Sequence, residues 1–230
     1  VTLLRCRPYV ESNNEKNNMD QEFWHSRWAE NRIGFHLSDT NPLLVKYWPL
    51  LHPQREEAVF VPMCGKSIDL SWLASKHDEV VGVELSEIAV RAFFSEHLYT
   101  PTVTSMSPTM KLYHFDELSI YAGDYFTAPL ETYPLVYDRA ALIAMPESLR
   151  QQYAERLLSL LKPGGRILLV TLHYPQEQMD GPPFSVDADE VRRLFDGYKI
   201  THLNRDEQAD RPPKGRTADF FAEEVWLIES

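Results

Sequence analysis

Val59-Phe60-Val61-Pro62-Met63-Cys64-Gly65-Lys66-Ser67 is a short apolar run that passes through a single glycine into a polar segment. An unbroken apolar run of this length reads as a strand buried on both faces. A tight turn from such a strand needs a residue without a Cβ where another group comes close, and Gly65 supplies it. Ser67 then caps a helical pattern over 67–75, with Ile68, Leu70, Trp72 and Leu73 as its apolar positions. A second apolar run follows, Val80-Val81-Gly82-Val83, and it ends on Glu84. A carboxylate at the tip of an apolar strand costs desolvation unless it has something to hold.

Outward from this unit the same alternation continues. Buried-strand runs occupy 58–63, 80–84, 135–138 and 166–172, and 118–122 reads as a further strand. Helical patterns lie between them, at 86–97 (Ile88, Val90, Phe93, Phe94) and at 146–161. The latter carries Leu149, Tyr153, Leu157, Leu160 and Leu161 on one stripe, with Pro146 in its first turn and Pro163-Gly164-Gly165 as its stop. Asp187-x-x-Glu190 resembles a capping box that opens a helix ending near Gly197. The last two runs, 199–204 and 223–228, are strand-like with no clear helix between them, which fits an antiparallel edge pair. These features predict an α/β fold: a doubly wound, Rossmann-like, mostly parallel sheet with helices on both faces and an antiparallel C-terminal edge. Fold alone does not give chemistry.

The chain has 230 residues, 43% of them hydrophobic, enough for one well-buried domain over 19–230. Residues 11–18, ESNNEKNN, have no apolar period, so 1–18 reads as a disordered leader or an expression-derived addition, with Met19 as the natural start. No apolar run is long enough to span a bilayer, and the opening VTLLRCRPYV lacks the apolar core of a secretory signal. Two cysteines, Cys6 and Cys64, are too few for a disulfide framework, and a cytoplasmic location is expected. The net charge is −11, with 23 basic residues scattered among 34 acidic ones, which disfavours nucleic acid as partner and favours a small molecule. The eight histidines show no metal-ligand spacing, so no metal is expected.

In a doubly wound sheet a ligand lies across the carboxyl ends of the central strands. Three ligands compete for the turn at Gly65. A P-loop requires glycine five positions earlier, where Phe60 stands; a dinucleotide site requires G-x-G-x-x-G, and one glycine is too few. S-adenosylmethionine has no phosphate and needs only room beside the turn, with a carboxylate for its ribose hydroxyls. The pairing of Gly65 with Glu84 favours that cofactor. The alternative is a surface glutamate at a strand end.

Taken in order, Phe23-Trp24-x-x-x-Trp28 with Phe35-His36, Pro62 to Leu70, Val81 to Ser86, Tyr137-Asp138-Arg139-Ala140-Ala141-Leu142 and Gly181-Pro182-Pro183-Phe184 resemble the thiopurine S-methyltransferase family. The similarity runs over nearly all of 19–230. It implies that Trp24, Trp28 and Phe35 close over the cofactor, that Met63 packs against it, and that Glu84 holds its ribose. Asp124 and Tyr125 would border the adenine. Arg139 would meet the cofactor carboxylate or an anionic acceptor, and Arg211 would stand on the substrate side. Indole faces attract a sulfonium cation, which agrees with the first of these roles. Competing structural readings stay open: a core stripe for Trp24 and Trp28, a turn role for Asp124 after Gly123, and an ion pair of Arg139 with Asp138 or Asp124. The implied activity is methylation of sulfur, or of selenium and tellurium, in small acceptors such as aromatic thiols, thiopurines and selenols, by a monomer. No acid or base is assigned, and Cys64 lacks the His or Asp partner of a nucleophile. A non-catalytic S-adenosylmethionine sensor and a nicotinamide-dependent oxidoreductase are the other classes, the latter disfavoured by the glycine-poor turn. Acceptor selectivity is expected from loops at 100–111 and 206–216.

Overall fold

The structure is a computed structural model, and it describes residues 21–34, 36–207 and 218–230. The leader at 1–18, Phe35 and Arg211 lie outside the described residues.

Nine strands form one sheet in the order β3-β4-β5-β2-β1-β6-β7-β9-β8. The parallel centre consists of β1 (Val59–Val61), β2 (Val80–Glu84), β5 (Leu118–Ala122), β6 (Tyr133–Arg139) and β7 (Leu161–His173). At the C-terminal side β9 (Ala222–Glu229) runs antiparallel to β7, and β8 (Lys199–Glu207) runs antiparallel to β9. The expected antiparallel edge pair is therefore present. The other edge differs from the sequence reading: part of the stretch 100–111, read as a loop, is a β-hairpin of β3 (Thr102–Ser107) and β4 (Met110–Phe115), the latter paired to β5. Every residue of β3 is exposed, so no buried face imposes an apolar alternation that a sequence would display.

Helices join β1 to β2 and β6 to β7 and lead away from β2, whereas the stretch 123–132 between β5 and β6 holds turns and no helix. α1 includes residues 21–29 and α2 is Pro42–Tyr47, capped by the Asn41 side chain, which accepts from the Leu43 N–H. α3 (Asp69–Ala74), α4 (Glu87–Glu96), α5 (Glu147–Ser159) and α6 (Ala188–Leu194) follow. The predicted capping box at α6 holds in its first half, with Asp187 Oδ1 accepting from the Glu190 N–H at 2.8 Å. Pro146 stands just outside α5 rather than in its first turn.

Alternate residues of each central strand feed opposite cores. Phe60, Val81, Val83, Val136, Ile167 and Leu169 pack against the α5 and α6 side. Val59, Val61, Val80, Leu135, Leu168 and Val170 pack against α2, α3 and α4. Each such side chain, fully withdrawn from water, contributes on the order of 1.5–3 kcal/mol. That two-sided burial explains why these strands read as continuous apolar runs.

At the centre, β1 and β2 approach closely. The Cys64 N–H donates to the Val83 carbonyl at 2.9 Å, extending the β1–β2 pairing past Val61. A Cβ placed on Gly82 would lie 2.7 Å from Cys64 Sγ but 3.5 Å from Cys64 Cβ. Gly82→Ala is expected to lower stability by about 1–3 kcal/mol through overpacking. Cys64→Ala added to it should restore most of that loss in a denaturant titration, and an undiminished loss in the double variant would show that the clash lies elsewhere.

Candidate active site

The turn after β1 is built under local strain. Met63 has φ 45°, a left-handed conformation unfavourable for a side-chain-bearing residue, and Gly65 has φ 56°. Glu84 holds this turn: its Oε2 accepts from the Gly65 N–H at 2.9 Å and its Oε1 from the Ser86 N–H at 2.8 Å. The carboxylate bridges the tips of β1 and β2 and is 5% exposed. Burial raises its pKa to about 7 and the amides at Ser86, Gly65 and Leu85 oppose that rise.

Trp28 lies over the same glycine. A Cβ at Gly65 would come within 3.1 Å of the Trp28 ring, so both the backbone angle and this tight contact favour glycine. Of the residues 21–29 in α1, only Trp28 is buried; Trp24 is intermediate and borders the cavity below. The two tryptophans thus serve packing and cavity lining together. Gln21 of α1 is tied to the tip of β5, where Asp124 Oδ2 accepts from Gln21 Nε2 at 3.4 Å and Oδ1 from the Phe126 N–H at 3.0 Å. That second bond is the local turn role read for Asp124. Tyr125 sits deeper, 3% exposed, with its ring stacked near Phe60 at 6.3 Å.

Beyond β6 the chain bends sharply at Ala140, with φ 66°. Asp138 organises that bend: Oδ1 accepts from the Leu142 N–H at 3.2 Å and Oδ2 from the Tyr153 hydroxyl at 2.7 Å. Burial raises the Asp138 pKa to about 6, against the pull of the Tyr153 hydroxyl and the Leu142 and Ala141 amides. Arg139, the next residue, stands at the mouth of the sheet. Across from it, Pro182, Pro183 and Phe184 form a wall, fixed by the Phe184 N–H donating to the Ile143 carbonyl at 2.7 Å and the Tyr174 hydroxyl to the Pro183 carbonyl at 2.5 Å.

These elements enclose a cavity of about 1080 Å³ at the carboxyl ends of the central strands. Trp24, Trp28, Met63, Glu84, Asp124, Tyr125 and Arg139 all line it, so the structure brings together every described residue that the sequence nominated. Asp69 and His36 are among the further polar residues that line it. Asp69, 2% exposed, accepts from the Asn41 N–H at 2.8 Å and the Tyr137 hydroxyl at 3.0 Å, tying the chain before α2 and the strand β6 to α3. An acid in the apolar stripe of 67–75 was the available signal for Asp69; His36 stood in the quoted Phe35-His36 pair without a role of its own.

Whether these groups suit the expected donor can be tested on their chemistry. A ribose asks for a fixed carboxylate, and Glu84 is held on both oxygens; a sulfonium asks for aromatic faces, and Trp24 and Trp28 border the cavity. The volume exceeds that of a typical single-ligand pocket and leaves room for a nucleoside beside a small acceptor. Among the described residues there is no cluster of three or more metal-ligating side chains. The residues fit the group.

Fold and site together define a class I, Rossmann-like S-adenosylmethionine-dependent methyltransferase. Comparisons with known proteins carry this further. The family model described as thiopurine S-methyltransferase matches residues 19–230. A thiopurine S-methyltransferase of Photobacterium profundum is 64% identical over 212 residues, covering 92% of this chain and 99% of that protein. One from Aliivibrio salmonicida is 63% identical over 213 residues, covering 92% and 100%. Among solved structures, the chain resembles a Burkholderia thailandensis 1,6-didemethyltoxoflavin-N1-methyltransferase with bound S-adenosylhomocysteine, at TM-score 0.65 and 15% identity, covering 100% of this chain and 93% of that one. The chain belongs to the thiopurine S-methyltransferase family, and S-adenosylmethionine is its cofactor.

Glu84 links pH to both stability and cofactor affinity. A carboxyl whose folded pKa lies above its unfolded value stabilises the fold fully below about pH 4.5, and that contribution is lost as pH rises through about 7. The melting temperature of the ligand-free protein, measured relative to Glu84→Gln, should therefore fall between pH 5 and 8. Ribose hydroxyls donate best to the ionised acid, so calorimetric affinity for S-adenosylhomocysteine should tighten over the same interval and stay flat in Glu84→Gln. A flat wild-type profile would remove Glu84 from the nucleoside site.

Proposed function

We propose that this protein transfers a methyl group from S-adenosylmethionine to the sulfur or selenium of small thiols and selenols, including aromatic and heterocyclic thiols such as thiopurines. The observation that carries the reading is the cavity at the strand tips, in which the doubly held Glu84 faces a common space with Trp24, Trp28 and Arg139. When bound, the cofactor supplies an electrophilic methyl on a sulfonium. The chain's part is then alignment and exclusion of water. Glu84 fixes the nucleoside, Met63 packs beside it, and the indoles of Trp24 and Trp28 favour the cation. Asp124 and Tyr125 border the adenine end. Arg139 orients an anionic acceptor or the cofactor's carboxylate across from the Pro182–Phe184 wall.

The relatives' shared name supports thiopurine-type acceptors. Selenium and tellurium acceptors rest on the same soft-nucleophile chemistry. The acidic balance, −11 overall, supports a small molecule over nucleic acid. Among the described residues no helix is long and apolar enough to cross a membrane. We place the protein in the cytoplasm as a monomer on the strength of its cysteine usage and its family.

The deciding measurement is transfer from labelled donor to a panel of thiols, selenols, amines and catechols. Thiols and selenols should be methylated at least tenfold faster than the others; donor binding without turnover on any of them would instead support a sensor. Arg139→Ala should lower turnover tenfold or more with the melting temperature nearly unchanged. A lowered melting temperature with intact turnover would assign Arg139 to an ion pair.

A further inference from the structure

The cavity wall carries several groups able to take a proton, and most are committed. Glu84 accepts from two backbone amides, Asp69 from the Asn41 amide and the Tyr137 hydroxyl, and Asp124 from the Phe126 amide and Gln21. Cys64 is buried, which pushes its thiol well above the usual range. His36 differs from all of these. Its backbone is anchored, with the N–H donating to the Ile33 carbonyl at 2.9 Å, and its half-buried ring borders the cavity. Neither ring nitrogen has a hydrogen-bond partner among the described residues, whereas His77, His97, His114 and His173 each hold one through Nδ1.

Four charged groups face the ring: Lys66 and Arg139 disfavour its protonation, Glu96 and Asp69 favour it. Burial outweighs each of them and lowers the pKa, so the imidazole is neutral at pH 7. A neutral, uncommitted imidazole within the field of Arg139 matches what a proton acceptor at a thiol needs: a free lone pair, with a cation close by for the anion that forms.

We propose that His36 accepts the proton of acceptor thiols that reach the cavity un-ionised. The proposal rests on the thiol-methylation reading above and extends it from acidic heterocyclic thiols to weakly acidic ones. The S–H bond breaks with its proton passing to an imidazole nitrogen. The sulfur lone pair forms the bond to the methyl carbon as the donor's sulfur–methyl bond breaks, with that pair staying on the donor sulfur. The products are a thioether, S-adenosylhomocysteine and an imidazolium that returns its proton to water. Arg139 stabilises the thiolate between these events.

The test compares His36→Gln with wild type across thiols of similar shape and graded acidity. At pH 7, turnover of thiols far above their ionisation point should fall by about 100-fold or more. Thiols already ionised should lose only a few-fold, and the deficit should shrink as pH rises through the thiol's own pKa. A second readout is free of turnover: in the complex with S-adenosylhomocysteine, an aryl thiol should show thiolate absorbance at a lower pH with wild type than with His36→Gln. Should His36→Gln fold poorly, His36→Ala with added imidazole should recover turnover of weak thiols selectively. Equal losses across the acidity series, an unchanged thiolate signature, or the selective loss appearing instead in Glu223→Gln, a change to another acid that lines the cavity, would overturn the assignment. Failure of the thiol reading itself would appear in the wild type, which would then methylate none of the series.

Discussion

The grip of one buried carboxylate on two strand tips is the constraint from which the site follows. Glu84 takes the Gly65 and Ser86 amides, and in doing so fixes where β1 turns and where α4 begins. The turn can comply only because Gly65 tolerates a left-handed angle and leaves space for Trp28. Gly82, one strand over, leaves matching space for Cys64. Two missing side chains thus allow a helix, a strand and a turn to meet around one acid. Without that acid the Gly65 and Ser86 amides would lose their acceptor.

Burial sets the electrostatics of the cavity more than any single charge does. It raises Glu84 and Asp138 and lowers His36, each toward its neutral form. The two acids are then restrained by hydrogen bonds rather than by ion pairs. The cavity wall carries Arg139 and the indoles of Trp24 and Trp28, so that a bound cation can meet aromatic faces and a bound anion Arg139. Strain is concentrated in the same place: Met63 and Ala140 both take left-handed angles at the ends of adjacent strands and both border the cavity.

Much of this was legible in the sequence because burial on both faces leaves an unambiguous record. β2 and β5 were bounded to the residue, and the C-terminal edge pair was recognised from two strands with no helix between them. Glu84 stood out as a charge ending an apolar run. The hairpin β3–β4 did not, since its outer strand has no buried face and its pattern is that of a loop. Asp69 escaped notice because helical spacing says nothing of what an acid within the stripe will meet, here Tyr137 from 68 positions away. His36 lies in an irregular stretch held by a single local bond to Ile33, and that neither ring nitrogen finds a partner among the described residues is a property no spacing can convey.

The two rims of the sheet are finished differently. β8 carries Lys199, Arg205, Asp206 and Glu207 along its outer length, a mixed-sign fringe that repels or misregisters any incoming strand. β3 has no charged residue at all, yet its ladder with β4 is broken between Ser105 and Ser107 and prolines stand just outside both ends, at 101 and 108. Irregular pairing and absent amide donors shorten the template that this rim could offer. A wide sheet with unpaired margins is thereby kept from growing by accretion, through solvation on one border and through geometry on the other.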